Sequence, residues 1–349
     1  MKIRLLLTFD HELPLGSLKT TYKKALFDPT ERLFESASRN DVPVTLFTDV
    51  LSAIRYKEWD NEGFYKPYTN QLQKAVGLGH DVQLHLHPHW LTSGYVNGVV
   101  IPSGDYSLTN FENNIEQSIG GIVKMGTTLL EEVCRKAKSD YNVLAFRAGG
   151  YNIEPGSEEI FNELAKNGIR YDSSVVLKYY FVSSLSLIDF RKVPPMPNWY
   201  IGNDGDFRRS AGSGILEIPV AAIPKTPFEI PTRFKLKHFA YRAPESHGTM
   251  IHEGNPGSRM EQLRMLFSSR MLTFDNHTLS AKYLMRILDY NVQKFRHFET
   301  LNLATCSHPK TMGDYSFTLM EQFIQMAREK YPDIEFTTFE HLYQQNQTD

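Results

Sequence analysis

The densest run of side chains able to do chemistry is Gly79-His80-Asp81-Val82-Gln83-Leu84-His85-Leu86-His87-Pro88-His89-Trp90. Metal binding needs imidazoles that converge on one point, because each Zn–N bond is only about 2.0–2.1 Å long. On a strand, His85 and His87 point to the same face, and Pro88 ends the strand so that His89 can fold back toward it. His85 and His89 have the spacing expected of two ligands. With 12 histidines among 349 residues, a pair four apart is expected by chance in about 0.4 of such sequences, and the triple at 85, 87 and 89 in about 0.014. The pair is weak evidence; the triple is strong.

Three further segments carry reactive groups. Thr8-Phe9-Asp10-His11-Glu12 follows an apolar run and supplies a carboxylate base and a hard oxygen ligand, although Asp is also a common turn residue. Phe146-Arg147-Ala148-Gly149-Gly150-Tyr151 offers backbone N–H groups for an oxyanion and a guanidinium able to clamp a carboxylate. Taken alone, it reads as an ordinary loop. Thr305-Cys306-Ser307-His308-Pro309 places one histidine just past a strand, where a satisfied structural imidazole is the commoner outcome. Asp172, after a short strand, likewise fits a cap or turn.

The elements that must position these groups alternate. Strands are expected at Lys2–Phe9, Val42–Phe47, Asp81–His85, Val143–Phe146, Ile169–Tyr171, Ile215–Val220 and Leu301–Cys306. Helices are expected from Asp28 to Arg39, Tyr68 to Leu78, Phe111 to Lys138, Ser157 to Lys166, Ser280 to Phe298 and Tyr315 to Lys330, with Asp28 as N-cap. A βαβα rhythm favours a parallel sheet, open or closed. Each reactive segment directly follows a strand, which in a parallel barrel gathers all of them on one face. The rhythm breaks between about 175 and 275, a proline-rich span expected to be an insertion or cap on one domain covering 1–349. Its His238, His247 and His252 could form a substrate-contacting lid, but a solvated loop is the favoured reading.

Composition narrows the class. The 38 basic and 40 acidic side chains nearly cancel, which gives no electrostatic case for nucleic acid or an anionic membrane. No apolar run approaches the length of a membrane span. Two cysteines, Cys134 and Cys306, suggest a reducing compartment and no cysteine-built metal site. Arg4 and Asp10 interrupt the first apolar run, so a secretory leader is not expected. The expectation is a cytoplasmic protein.

These motifs resemble the polysaccharide deacetylase superfamily (NodB-homology, carbohydrate esterase family 4). TFDHE at Thr8 to Glu12 resembles the family's TFDDG, and GHDVQLHLHPH at Gly79 to His89 its histidine motif H-S/T-x-x-H. Arg147 to Tyr151 resembles R-x-P-Y, and LATCSHP around His308 the final strand ending in histidine. Within the family, the variants are most similar to the WalW/WbmS-like subgroup encoded with lipopolysaccharide or capsule synthesis. The resemblance implies a deformed (β/α)7 barrel, one divalent metal ion, commonly Zn2+, and hydrolysis of an acetyl or related acyl group on an amino sugar. It implies that Asp10 is the base activating water and that Glu12, His85 and His89 are metal ligands. Arg147 would orient Asp10, Gly150 and Tyr151 would bind the oxyanion, His308 would be the acid, and Asp172 its orienting partner. The family's second aspartate is His11 here, so Glu12 is expected to take its place, with His11 as the alternative ligand.

The implied partner is a carbohydrate, in particular a nucleotide- or lipid-linked amino sugar. Two other classes remain open. A metal-free amide hydrolase on the same fold would keep its activity under chelation, and a non-catalytic carbohydrate binder would tolerate Asp10→Asn.

Overall fold

The computed structural model describes residues 1–14, 18, 20–111, 117–183, 186–226 and 258–348. Its walls are parallel strands of branched and aromatic residues, buried on both faces, as strands covered by helices must be. The apolar run expected as one strand is two, Lys2–Leu6 and Thr8–His11. The break at Leu7 lets the chain change partners. Lys2–Leu6 pairs in parallel with Thr300–Ala304 and Glu335–Thr337, whereas Thr8–His11 pairs with Thr45–Asp49.

From Thr8–His11 the wall continues in parallel through Thr45–Asp49, Asp81–Leu86, Ala145–Ala148, Tyr171–Asp172 and Ile215–Glu217. Trp199–Ile201 adds antiparallel to the last of these. Two single parallel bridges then complete a ring. Val220 meets Ala304, and Ser307, further along the same segment, meets Phe9. Backbone hydrogen bonds follow at both places, from Ala221 N to Ala304 O (2.9 Å) and from Asp10 N to Ser307 O (2.8 Å). The expected (β/α)7 barrel is thus present as seven parallel segments, deformed where bridges replace full ladders.

The longer helices cover the outside, each burying one apolar face. Ala281–Lys294 buries Leu284, Ile287, Leu288 and Val292, a helical spacing that fills the gap against the wall. Its N-terminus is capped by Ser280, whose side chain accepts from Tyr283 N. The helices Asp28–Arg39 and Ser157–Lys166 lie where the sequence puts them. Asp28 is not a cap, however, because the π-helical turn Lys23–Phe27 runs straight into it. The long helix expected from Phe111 is Ile119–Cys134, started by Ser118, whose side chain accepts from Gly121 N (3.1 Å); residues 112–116 lie outside the described residues.

The span 175–275 is not only an insertion. Its Ile215–Glu217 is a wall strand, and Ala222–Pro224 pairs antiparallel with Ser269–Met271 beside it. The histidines His238, His247 and His252 lie outside the described residues.

Candidate active site

Parallel strands place their carboxyl ends on one rim, and the reactive side chains collect there. Thr8–His11 delivers Asp10 and, one residue past its end, Glu12; Asp81–Leu86 delivers His85 and then His87. Ala145–Ala148 delivers Arg147, and the segment after Thr300–Ala304 delivers Cys306, His308 and Lys310.

Arg147 is the anchor. It is wholly buried and donates through Nη1 to Asp10 Oδ1 (2.6 Å), Nη2 to Thr8 Oγ1 (2.8 Å) and Ser173 Oγ (3.0 Å), and Nε to Ser173 O (2.9 Å). Its guanidinium also lies over the Phe47 ring, 4.2 Å from the centroid. Burial would raise the Asp10 pKa, but Arg147, then His85 and His308, outweigh it and hold the carboxylate below its ordinary range.

Glu12, His85 and His87 bring Oε2, Nε2 and Nε2 within 4.8 Å of one another. Glu12 Oε2 lies 2.5 Å from His87 Nε2 and 3.5 Å from His85 Nε2. All three atoms are buried and none has a hydrogen-bond partner in usable geometry. Buried polar atoms left without partners are costly, so three aimed at one point fit a cation that would satisfy them together. The His85 ring is set for this by its other nitrogen, which lies 2.8 Å from Arg147 O. His87 is set by Gly149, since a Cβ there would sit 2.7 Å from His87 Nδ1 and 2.4 Å from Leu86 O. Only glycine allows that approach.

The imidazole that joins Glu12 and His85 is thus His87, whereas the expected ligand His89 lies outside that group with its own two ring nitrogens buried and unpartnered. Pro88 does not turn the chain back but opens the short helix His89–Thr92, which carries the His89 ring onto Tyr106 (centroids 4.9 Å apart). Burial, with His87 nearby, lowers the His89 pKa to about 3, so it is a neutral ring. The alternative ligand His11 is engaged away from this group. Its Nδ1 pairs with Thr48 Oγ1 (2.8 Å) and its Nε2 with Gln71 Oε1 (3.0 Å), leaving no free nitrogen.

His308 Nε2 completes the cluster, 3.6 Å from Asp10 Oδ2 and 3.7 Å from Glu12 Oε1. Its partner is Asp275, not Asp172. Asp275 Oδ2 lies 2.8 Å from His308 Nδ1, and Oδ1 accepts the His308 backbone N–H at 2.7 Å. Burial would lower the His308 pKa, but Asp275, then Asp10 and Glu12, raise it to about 9. Asp172 sits two wall strands away from the His308 segment, bound to Ser174 and in register with Glu217. Burial pushes both of these carboxyls up.

Gly150 and Tyr151 adopt left-handed backbone, φ 58° and 60°; for tyrosine this costs about 1–2 kcal/mol. The turn aims the Tyr151 hydroxyl at Cys306 Sγ (3.0 Å), which in turn lies 3.5 Å from Asp10 Oδ2. Cys306, Lys310, Asp275 and Asp49 are site residues that sequence reasoning missed. Asp49 is buried with both carboxylate oxygens unpartnered, in register with His85. A signal for Asp275 existed. Leu272-Thr273-Phe274-Asp275 repeats Leu7-Thr8-Phe9-Asp10, and the two phenylalanine rings stack 6.2 Å apart.

No protein-family model matches the chain, and no curated protein sequence does. Solved structures resemble it. A protein from Mycobacterium smegmatis, described as a polysaccharide deacetylase, aligns over 99% of this chain and 90% of its own at 12% identity, TM-score 0.48. A probable polysaccharide deacetylase from Pseudomonas aeruginosa aligns over 97% and 89% at 11% identity, TM-score 0.45. The allantoinase PuuE aligns over 97% and 87% at 11% identity, TM-score 0.46. Polysaccharide deacetylases, the family that the Thr8–Glu12 and Gly79–His89 motifs resemble, are thus among the solved structures this chain is similar to.

Proposed function

We propose that the protein is a metal-dependent hydrolase that removes an acetyl group from an amino sugar. The observation that carries this reading is the convergence of three orphaned donor atoms, on Glu12, His85 and His87, beside an Arg147-held Asp10 and an Asp275-held His308. One carboxylate and two imidazoles form a donor set suited to zinc. A divalent cation held there supplies a positive pole that polarises an acyl oxygen and acidifies water.

The protein's own groups divide the remaining work. Asp10, kept ionised by Arg147, takes the proton of the attacking water through Oδ2. His308, protonated through neutral pH, gives its proton to the leaving amine. The Gly150–Tyr151 turn presents backbone to the developing oxyanion. His308 is also the member of this set that reaches solvent, its side chain 24% exposed against 5% or less for Asp10, Glu12, His85, His87 and Arg147. Substrate would therefore arrive at its leaving-group side first.

The finer parts of the proposal are zinc, a nucleotide- or lipid-linked precursor as substrate, the WalW/WbmS-like subgroup and a cytoplasmic setting. The setting is supported by two buried free thiols, Cys134 and Cys306.

The test is acetate release from N-acetylated amino-sugar oligomers by the wild type, by protein stripped with a chelator, and by stripped protein resupplied with Zn2+. Release that vanishes on stripping, returns with zinc and is absent from Asp10→Asn is expected. Release indifferent to stripping would favour the metal-free amide hydrolase instead. No release from any oligomer, with Asp10→Asn indistinguishable in sugar binding, would replace the reading by the binding protein.

A further inference from the structure

Glu12 is the one ligand of the proposed set whose two oxygens face different neighbours. Oε2 lies among the imidazoles of His85 and His87, whereas Oε1 accepts from Lys310 Nζ at 2.8 Å. The ammonium is itself fixed, since it also donates to Leu13 O at 3.1 Å and the Lys310 side chain is only 13% exposed. Lys310 belongs to the turn Pro309–Thr311, directly after His308, whose Nε2 approaches the same Oε1 at 3.7 Å.

A positive side chain aimed at a carboxylate that is to hold a cation needs a reason. The ammonium meets only Oε1 and leaves Oε2, the oxygen turned to His85 and His87, without a partner, so neutralising a buried acid does not account for the arrangement. The ammonium occupies the oxygen that would otherwise allow Glu12 to grip the ion with both, and it withdraws charge from the ligand.

We propose that Lys310 is a positioning residue that holds Glu12 to one-oxygen ligation and offsets its charge, so that the bound ion is held less tightly but pulls harder on the acyl oxygen. This rests on the metal-dependent reading above and deepens it.

The experiment titrates apo protein with Co2+ against a chromophoric chelator and records the visible cobalt spectrum, for wild type, Lys310→Met and Lys310→Arg. Lys310→Met is expected to bind Co2+ about tenfold tighter, because a like charge near the ion is gone. Its cobalt bands should weaken as Glu12 adds a second oxygen. Its kcat for acetate release should fall about tenfold with KM little changed, and the acidic limb of the pH–rate profile should move up. Lys310→Arg keeps the charge and should stay near wild type in affinity and spectrum. Should the Met variant fail to fold, Lys310→Gln must show the same tightening. If the neutral variant binds Co2+ no tighter than a wild type that does bind it, the role given to Lys310 is wrong and the metal reading survives. If the wild type binds no Co2+, both fall.

Discussion

Asp275 meets His308 twice, accepting its backbone N–H at 2.7 Å and lying 2.8 Å from its Nδ1 with the other oxygen. The contact fixes the ring so that Nε2 faces Asp10 and Glu12, and it holds His308 charged up to about pH 9. A group whose folded pKa is raised acts as a proton donor below that value and is lost as pH rises through it. Acetate release should therefore fall above about pH 9. In Asp275→Asn the basic limb should move toward the ordinary histidine value near 6.5, with kcat at neutral pH down about 10–100-fold. A pH–rate series on both proteins checks this; an unmoved basic limb would remove Asp275 from the mechanism.

The same pair has a stability signature of opposite limbs. His308⁺ contributes stability below about pH 6.5 that is lost toward pH 9. Asp275, which burial would raise but His308 lowers to about 2, contributes above about pH 4 and loses it toward pH 2. The stability difference between wild type and Asp275→Asn in urea should be greatest between about pH 4 and 6.5, at about 2 kcal/mol. A difference that is flat from pH 3 to 9 would contradict the linkage.

His87 and His89 can be told apart by metal content. Zinc measured on purified protein should be stoichiometric in wild type and in His89→Ala, and lost from His87→Ala, with affinity down more than about 100-fold. The reverse pattern would restore the four-residue spacing.

Gly149→Ala should harm the site through geometry alone. Its Cβ would stand 2.7 Å from His87 Nδ1, so zinc affinity should drop while the circular dichroism spectrum is kept. Undiminished zinc binding would show that the ring has room to give.

Arg147→Met leaves Asp10 buried beside an apolar side chain. Removing one partner of a buried ion pair costs about 3–5 kcal/mol, to be read as a lower urea midpoint, with acetate release abolished. A variant as stable as wild type would mean that Asp10 finds another cation.

Asp10, His85, Arg147 and His308 were legible as neighbours because each lies at or just past the carboxyl end of a wall strand, and strand periodicity is local. The choice between His87 and His89 was legible in part, since alternation already put His85 and His87 on one face. What spacing could not reveal is that Pro88 starts a helical turn. Asp172 and Asp275 each end an apolar run, and the repeat of Leu7–Asp10 at Leu272–Asp275 marks the second without saying which histidine it meets. The order of strands, set by packing across the whole barrel, puts the Leu272–Asp275 segment beside Cys306 and Ser307, through Cys306 N to Leu272 O (3.1 Å) and Phe274 N to Ser307 Oγ (2.8 Å). The break at Leu7 is of the same kind, because nothing in a uniform apolar run announces a change of partner.

The pair Glu12–Lys310 spans 298 positions of sequence, and the ring is closed by its first and last wall segments. A ribosome building this protein in order makes Glu12, His85 and His87 early, and the Thr300–Ala304 strand with the residues behind it near the end. An unfinished chain that stops short of Thr300 holds the three donors proposed for an ion but neither His308 nor Lys310. On the proposed reading, the set of groups that would carry hydrolysis is complete only once the closing segment has docked.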